Sequence, residues 1–229
     1  MAEPKIRDRR AFIAQVATAA AVVAGTGCAA PLAAASNVSV SPSAPFDDGW
    51  TRRVAAAKQR AVFDSPDIND GLALLHATFY RQGYREQFGL GGDEVIPVVV
   101  LRHMATTMAF TDALWAKYAL GERSRVVDPA TGKDALRNPF IRVGKDEKNG
   151  IVPSEASIEA LLASGAVLLV CNKATMRLAG QVATKFAKPA DDVRAEFRAA
   201  VVPGILLQPS GIYATLRAQD VGCAFIKST

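Results

Sequence analysis

The chain has 229 residues, of which 50% are hydrophobic and 21% charged, a composition typical of one soluble globular domain with a single core. The formal net charge is +5, but the basic residues are scattered among acids, which argues against a nucleic-acid-binding surface. The three cysteines, Cys28, Cys171 and Cys223, are too few for a disulfide scaffold and lack the spacing of a metal site, so neither a metal nor a cofactor is expected.

Residues 1–35 are predicted to be an export signal. Arg9 and Arg10 are followed by Phe12 and Ile13, an order that resembles the twin-arginine signal Ser/Thr-Arg-Arg-x-Phe-Leu-Lys. The Ala/Val/Gly segment behind them is too short and too weakly apolar to span a bilayer. The resemblance implies a twin-arginine translocase as export partner and a periplasmic or otherwise extracytoplasmic location. An ordinary secretory signal that contains two arginines is the alternative.

Two processing sites compete in this leader. The alanines at 33–35 fit the small-x-small rule of signal peptidase, and cleavage there is favoured. The alternative is lipid anchoring at Cys28, because Gly-Thr-Gly-Cys resembles a lipobox. Residues 36–49 are rich in serine and contain two prolines, which predicts a flexible linker, and the folded domain is expected over 50–229.

Short apolar runs alternate with helical patterns through this domain. The alternation predicts a single doubly wound α/β domain with a mainly parallel five-stranded sheet flanked by helices. The predicted strands are 61–64, 98–102, 167–171, 205–207 and 223–226. Pro97 lacks the amide donor that a central strand uses, so the second strand is expected to begin just after it.

The helical patterns lie between these strands. A helix is predicted over 104–118, and others precede and follow the remaining strands. The positions expected to face the core are Leu72, Leu75 and Phe79 in the first long helix, and Ile212 and Leu216 in the last. His76 lies beside the first of these stripes and is interpreted as a packing residue.

Cys171 ends the buried run Val-Leu-Leu-Val-Cys, and Asn172 opens the following helix. His103 and Arg102 hold the equivalent place after the second strand. Carboxyl ends of parallel strands, together with helix N-termini, form the usual ligand crevice and attract anions, including a thiolate. Two simpler interpretations stay open, namely that Cys171 is a core residue and that His103 is a capping or hydrogen-bonded structural histidine.

A long polar connection is predicted at about 121–153. Loops of this length are commonly lids, interface elements or disordered segments. Arg137 and Asn138 are expected to lie over the strand ends, where the segment from Arg137 to Phe140 is positioned to cover the crevice.

Several segments resemble the DsrE/DsrF-like proteins of intracellular sulfur oxidation. Residues 167–176 are similar to the central strand and cysteine of that family, and 99–103 to its second strand and histidine-containing turn. Residues 202–211, which include Gln208 and Ser210, and 216–227 are similar to its closing helix and strand. The resemblance covers most of 61–227, with the connection at 121–153 as an insertion.

The resemblance implies a small α/β domain that assembles into trimers or hexamers, with a cysteine that carries sulfur as a persulfide. The candidate site is Cys171 and His103 as reactive residues, with Arg102, Asn172, Arg137, Asn138, Gln208 and Ser210 binding the ligand. One alternative is a non-catalytic oligomeric domain that binds a small ligand, with Cys171 in its core. The other is a structural disulfide between Cys171 and Cys223, which their places at opposite ends of parallel strands argue against.

Overall fold

The computed structural model describes residues 46–141 and 151–229, all within a compact unit that spans Ala44–Thr229. Five strands form one all-parallel sheet in the order β4-β3-β2-β1-β5. The strands are β1 Gln59–Ser65, β2 Val95–Leu101, β3 Val167–Cys171, β4 Leu206–Gln208 and β5 Ala224–Lys227. The prediction of a single doubly wound α/β domain is confirmed. The predicted leader, 1–35, and the middle of the predicted insertion lie outside the described residues.

Helices cover both faces of the sheet. They are α1 Trp50–Ala56, α2 Leu72–Phe88, α3 Asp112–Tyr118, α4 Leu120–Ser124, α5 Ile158–Ala163, α6 Asn172–Lys185, α7 Ala190–Ala199 and α8 Gly211–Asp220. Helices α1 and α8 pack on one face of the sheet, and α2, α5 and α6 contribute to the larger core on the other. Because both faces are covered, every residue of β2 is buried, which explains its continuous apolar sequence. None of the helices in these described ranges is both long and apolar enough to cross a membrane.

Pro97 lies inside β2, so the prediction that this strand begins after the proline is wrong. β2 starts at Val95, and Pro97 is paired with Ala61 of β1. The neighbour on the other side, β3, begins only opposite Val98. The proline is therefore tolerated at a point where the central strand has a single neighbouring strand.

The core-facing sides of α2 and α8 differ from the prediction. Phe79 is 59% exposed and Ile212 is 67% exposed, and Leu216 is also exposed. Other positions face the sheet instead, namely Leu74 with the small residues Ala73 and Ala77 on α2, and Ala214 and Ala218 on α8. Alanine lets a helix approach a sheet closely, and Phe79, Ile212 and Leu216 lie on the outer sides of these two helices.

The single helix expected over 104–118 is broken. A 3₁₀ helix, His103–Ala109, ends in the extended residue Phe110, and α3 follows. Phe110 forms an antiparallel bridge with Val201, and the amide of Val202 donates to the carbonyl of Ala109 at 2.8 Å. The segment before β4 therefore supplies hydrogen bonds that compete with a continuous helix.

The end of the predicted linker is part of the fold. The side chain of Gln208 donates from Nε2 to the carbonyl of Asp47 at 2.8 Å, and Arg217 forms an ion pair with Asp48 at 2.8 Å. Trp50, at the start of α1, is buried. Residues 46–49 are thus anchored to β4 and α8, and the expectation of a flexible linker as far as residue 49 is wrong at this end.

Candidate functional site

A cavity of about 450 Å³ opens at the carboxyl ends of β2 and β3, beside the first turns of α6 and α8. Cys171, His103, Arg102 and Ser210, four of the residues predicted for the site, line it. Parallel strands bring them together because their carboxyl ends meet at one end of the sheet. The volume lies within the range of small-molecule sites.

Cys171 is both the last residue of β3 and the N-cap of α6. Its Sγ accepts a hydrogen bond from the amide of Ala174 at 3.3 Å, and its carbonyl accepts one from the Thr175 hydroxyl at 3.0 Å. The residue is only 6% exposed, but it forms part of the cavity wall. The thiol therefore lies where a helix N-terminus favours negative charge and where a ligand in the cavity reaches it.

Arg102 is held by Asp64, a residue that the sequence analysis did not single out. Its Nε and one terminal nitrogen donate to the two carboxylate oxygens at 2.6 and 2.7 Å. The pKa of Arg102 is raised, chiefly by these hydrogen bonds, and negative charge at Cys171 acts in the same direction. Asp64 is the penultimate residue of β1 and Arg102 directly follows β2, so the pair places a neutralised cation in the cavity that Cys171 also lines.

The backbone around Arg102 leaves little space. Gly211, the first residue of α8, lies so close that an added Cβ would be 2.6 Å from the Cβ of Arg102 and 2.8 Å from its Cδ. His103 adopts a left-handed conformation with φ 49°, which turns the chain out of β2. Ser210 is the N-cap of α8, and its side chain accepts a hydrogen bond from the Tyr213 amide at 3.1 Å.

Two predicted site residues lie near the strand ends but outside the cavity lining. Gln208 is buried and paired in register with Cys171, yet its Nε2 donates to the carbonyls of Asp47 and Leu207. Asn172 begins α6, and its Oδ1 is buried without a hydrogen-bond partner in the described part of the chain. Neither side chain lines the cavity, so their expected role in ligand binding gains no support from their positions.

Arg137 and Asn138 also lie away from the cavity, because the described part of the long connection packs into the fold. Asn138 is fully buried and its Nδ2 donates to the carbonyls of Met108 and Phe110 at 2.8 and 2.7 Å. Arg137 faces Asp128 at 3.9 Å. The expectation that this segment covers the crevice is wrong for these residues, which instead anchor the connection.

The cavity wall contains three cations that sequence analysis missed. Lys173 and Arg177 are four residues apart on α6, and Arg123 of α4 donates to Gln181, which lies one helical turn beyond Arg177. None of the described side chains that line the cavity is a carboxylate. The spacing of Lys173, Arg177 and Gln181 after Cys171 was the available signal, since positions i, i+4 and i+8 share one helix face.

Cys223 lies at the opposite end of the sheet, immediately before β5. Both it and Cys171 are buried free thiols, so the proposed disulfide between them is not formed. Burial raises the pKa of the Cys223 thiol to about 11, with the positive charge of Arg60 acting in the other direction. Cys223 is therefore an internal reference for an inert buried thiol.

Within residues 46–141 and 151–229, no three His, Cys, Asp or Glu side chains are grouped closely enough to hold a metal ion. Comparison of the chain with protein-family models, with curated proteins and with solved structures finds no match in any of the three. A functional proposal therefore rests on the arrangement of residues at the strand ends and not on similarity to known proteins.

Proposed function

We propose that the protein handles sulfur, with Cys171 as a thiol that accepts and donates a persulfide sulfur. One observation carries the proposal: Cys171 lines a cavity whose ionisable neighbours are cations and a histidine, with no carboxylate among its described lining residues. Sulfur transfer proceeds through anions, and such a site attracts them. The resemblance to DsrE/DsrF-like proteins at 167–176 agrees with this role.

The transfer needs no external oxidant. The Cys171 thiolate attacks a sulfane sulfur of the donor, the donor's S–S bond breaks, and the donor leaves as a thiolate with the electron pair. The amide of Ala174, which points at Sγ, is placed to donate to the thiolate. His103 lines the same cavity, so its imidazole is available to a donor bound there.

Incubation with inorganic polysulfide tests the proposal. We expect the native chain to gain the mass of one sulfur atom, the gain to be lost in Cys171→Ser, and the added sulfur to be released by a reducing thiol. Cys223→Ser is the matched control and should still take up sulfur. Equal labelling of Cys171→Ser and the native chain would contradict the assignment.

A second candidate is a site that binds an anionic ligand without covalent chemistry. The low exposure of Cys171, 6%, favours this alternative, because burial limits attack by the thiol. Under it, Cys171→Ser would keep ligand affinity and no persulfide would form. The same mass measurement therefore separates the two candidates.

We further propose that the protein is exported by the twin-arginine route. Arg9 and Arg10 followed by Phe12 and Ile13 support this, together with the alanines at 33–35. Replacing both arginines by lysine should leave an unprocessed cytoplasmic precursor. Normal export of that variant would overturn the assignment.

Assembly into a homo-oligomer, implied by the same resemblance, is proposed to involve β5. This edge strand has all four residues exposed, including Phe225 and Ile226, and its outer backbone groups face no other strand in the described chain. An open apolar edge is suited to pairing with a second copy. Sedimentation should show an oligomer that Phe225→Asp dissociates, and a native monomer at all concentrations would refute it.

A further inference from the structure

We infer that the sulfur donor at this site is an organic persulfide that carries two or more carboxylates, and not hydrosulfide or another small inorganic anion. The inference rests on the proposed sulfur-handling function and specifies its substrate class. Its basis is the size, charge and apolar lining of the cavity around Cys171.

The cavity is much larger than a sulfur anion. Its volume of about 450 Å³ compares with the roughly 30 Å³ that one water molecule occupies in the liquid. A hydrosulfide ion fills a small fraction of such a space and touches few of its walls. Sites of this volume typically hold small organic molecules.

The cavity lining carries more positive side chains than a ligand with a single negative charge would need. Lys173 and Arg177 form no ion pair with any residue in the described ranges, and both are exposed at the rim. Arg123 contributes a third positive charge, and its Nε is buried without a hydrogen-bond partner there. Arginine binds carboxylates through paired hydrogen bonds, so this lining matches a ligand with more than one carboxylate.

Arg102 is not available for the same purpose. Its guanidinium is already bound by both oxygens of Asp64. The positive charge of Arg102 is therefore balanced by Asp64, whereas the charges of Lys173 and Arg177 on α6 have no acidic partner in the described ranges. This distribution orients a donor with its carboxylates at the rim and its sulfur end towards Cys171.

Apolar side chains also line the cavity. Met104 and Ile212 are exposed within the crevice, and Leu178 lies on the α6 side. A carbon skeleton that bridges carboxylates and sulfur buries this surface, while an inorganic anion leaves it in water. The volume, the cations and the apolar lining of the cavity together match an organic persulfide that carries carboxylates.

The step balances as a displacement at sulfur. The Cys171 thiolate attacks the terminal sulfur of R–S–S–H, a new S–S bond forms at Cys171, and the bond between that sulfur and R–S breaks. R–S⁻ leaves with the electron pair and takes up the proton that Cys171 released on ionising. The transferred sulfur keeps its own proton, and no net oxidation or reduction occurs.

Binding is tested with S-methylglutathione, an unreactive thioether with two carboxylates, and with its dimethyl ester, which has none. Calorimetry on the full chain should detect the acid, with an affinity at least fivefold higher than for the ester. Arg177→Gln should weaken binding of the acid about fivefold, as expected for loss of one charged hydrogen-bond partner. Lys185→Gln, on the same helix and already paired with Glu122, is the matched control and should bind normally.

The same probe on Cys171→Ser separates this inference from the proposed function. Binding of the acid to that variant, without persulfide formation in the native chain, supports the ligand class and rejects sulfur transfer. Persulfide formation from polysulfide, with equal or no binding of acid and ester, supports sulfur transfer and overturns this inference. Equal affinities of Arg177→Gln and the native chain for the acid would also overturn it.

Discussion

Arg102 lines the same cavity as Cys171 and is held there by Asp64, the penultimate residue of β1. The two hydrogen bonds, 2.6 and 2.7 Å long, join groups that are 22% and 8% exposed in their side chains. The pair is thus largely removed from water, and either charge alone would be poorly solvated there. Asp64 therefore stabilises the fold and limits the net positive charge at the thiol.

Asp64→Asn should lower the free energy of unfolding by about 2 kcal/mol, less than the loss for a fully buried pair because Arg102 keeps some contact with water. Urea denaturation measures the change. Asp93→Asn is the matched control, since its pair with Arg53 is 3.5 Å long and Asp93 is 80% exposed, and it should change stability by less than about 0.5 kcal/mol. Equal effects of the two substitutions would contradict this account of Arg102.

Ionisation of Cys223 makes the free energy of unfolding fall with rising pH in the alkaline range. Burial raises its pKa from 9.0 to about 11 in the folded state, so the unfolded chain loses this proton first as the pH rises. The contribution of Cys223 to the free energy of unfolding is therefore complete below pH 9 and is lost as the pH approaches about 11.

The measurement is urea denaturation at about pH 8 and about pH 10.5 under reducing conditions, where the native chain should lose about 2 kcal/mol more than Cys223→Ala. Tyr80 is present in both proteins, but its pKa is raised by burial and also by negative charge at Cys223, so the difference between the proteins reports the thiol together with its effect on Tyr80. Parallel loss of stability in the two proteins would show that Cys223 ionises equally in both states.

At the scale of elements, the strands were predictable and the helix faces were not. Continuous Val/Leu runs mark strands buried on both faces, and β3 is found at the predicted residues 167–171. The buried side of α8 is formed by Ala214 and Ala218, and its large residue Ile212 is exposed. A large-residue stripe cannot identify a face that packs through alanine.

The candidate site was predictable only where it follows from topology. Cys171 and His103 were expected to meet because both end parallel strands, and both line the cavity. Arg123 comes from α4, whose position depends on tertiary packing of the long connection. Asn138 was expected at the crevice, but its amide satisfies buried carbonyls, a role that its sequence context does not reveal.

Gly211 sets the distance between α8 and β2. Gly211→Ala should destabilise the protein by about 1–3 kcal/mol, because the new methyl group overlaps the side chain of Arg102. Gly180→Ala, inside α6 with open space around the added atom, should stabilise it by about 0.5–1 kcal/mol. Thermal denaturation of both variants tests this, and a neutral Gly211→Ala would mean that the close approach is not required.

Across the whole molecule, the two buried thiols lie in contrasting environments. Cys171 is at the end of the sheet where the helix N-termini and Arg177 favour anions, whereas Cys223 is at the other end, where burial disfavours its charge. The sheet thus separates a candidate reactive cysteine from a structural one. We therefore claim that the two thiols differ in reactivity.

Alkylation of the native chain by iodoacetamide and by the negatively charged iodoacetate tests that claim most directly, with labelled sites identified by mass spectrometry. We expect Cys171 to be labelled and Cys223 to stay unlabelled. The rate ratio of iodoacetate to iodoacetamide at Cys171 should exceed that of the urea-unfolded chain and should fall in Arg177→Gln. A Cys171 thiol that reacts only after unfolding would contradict the account and leave it as a core residue.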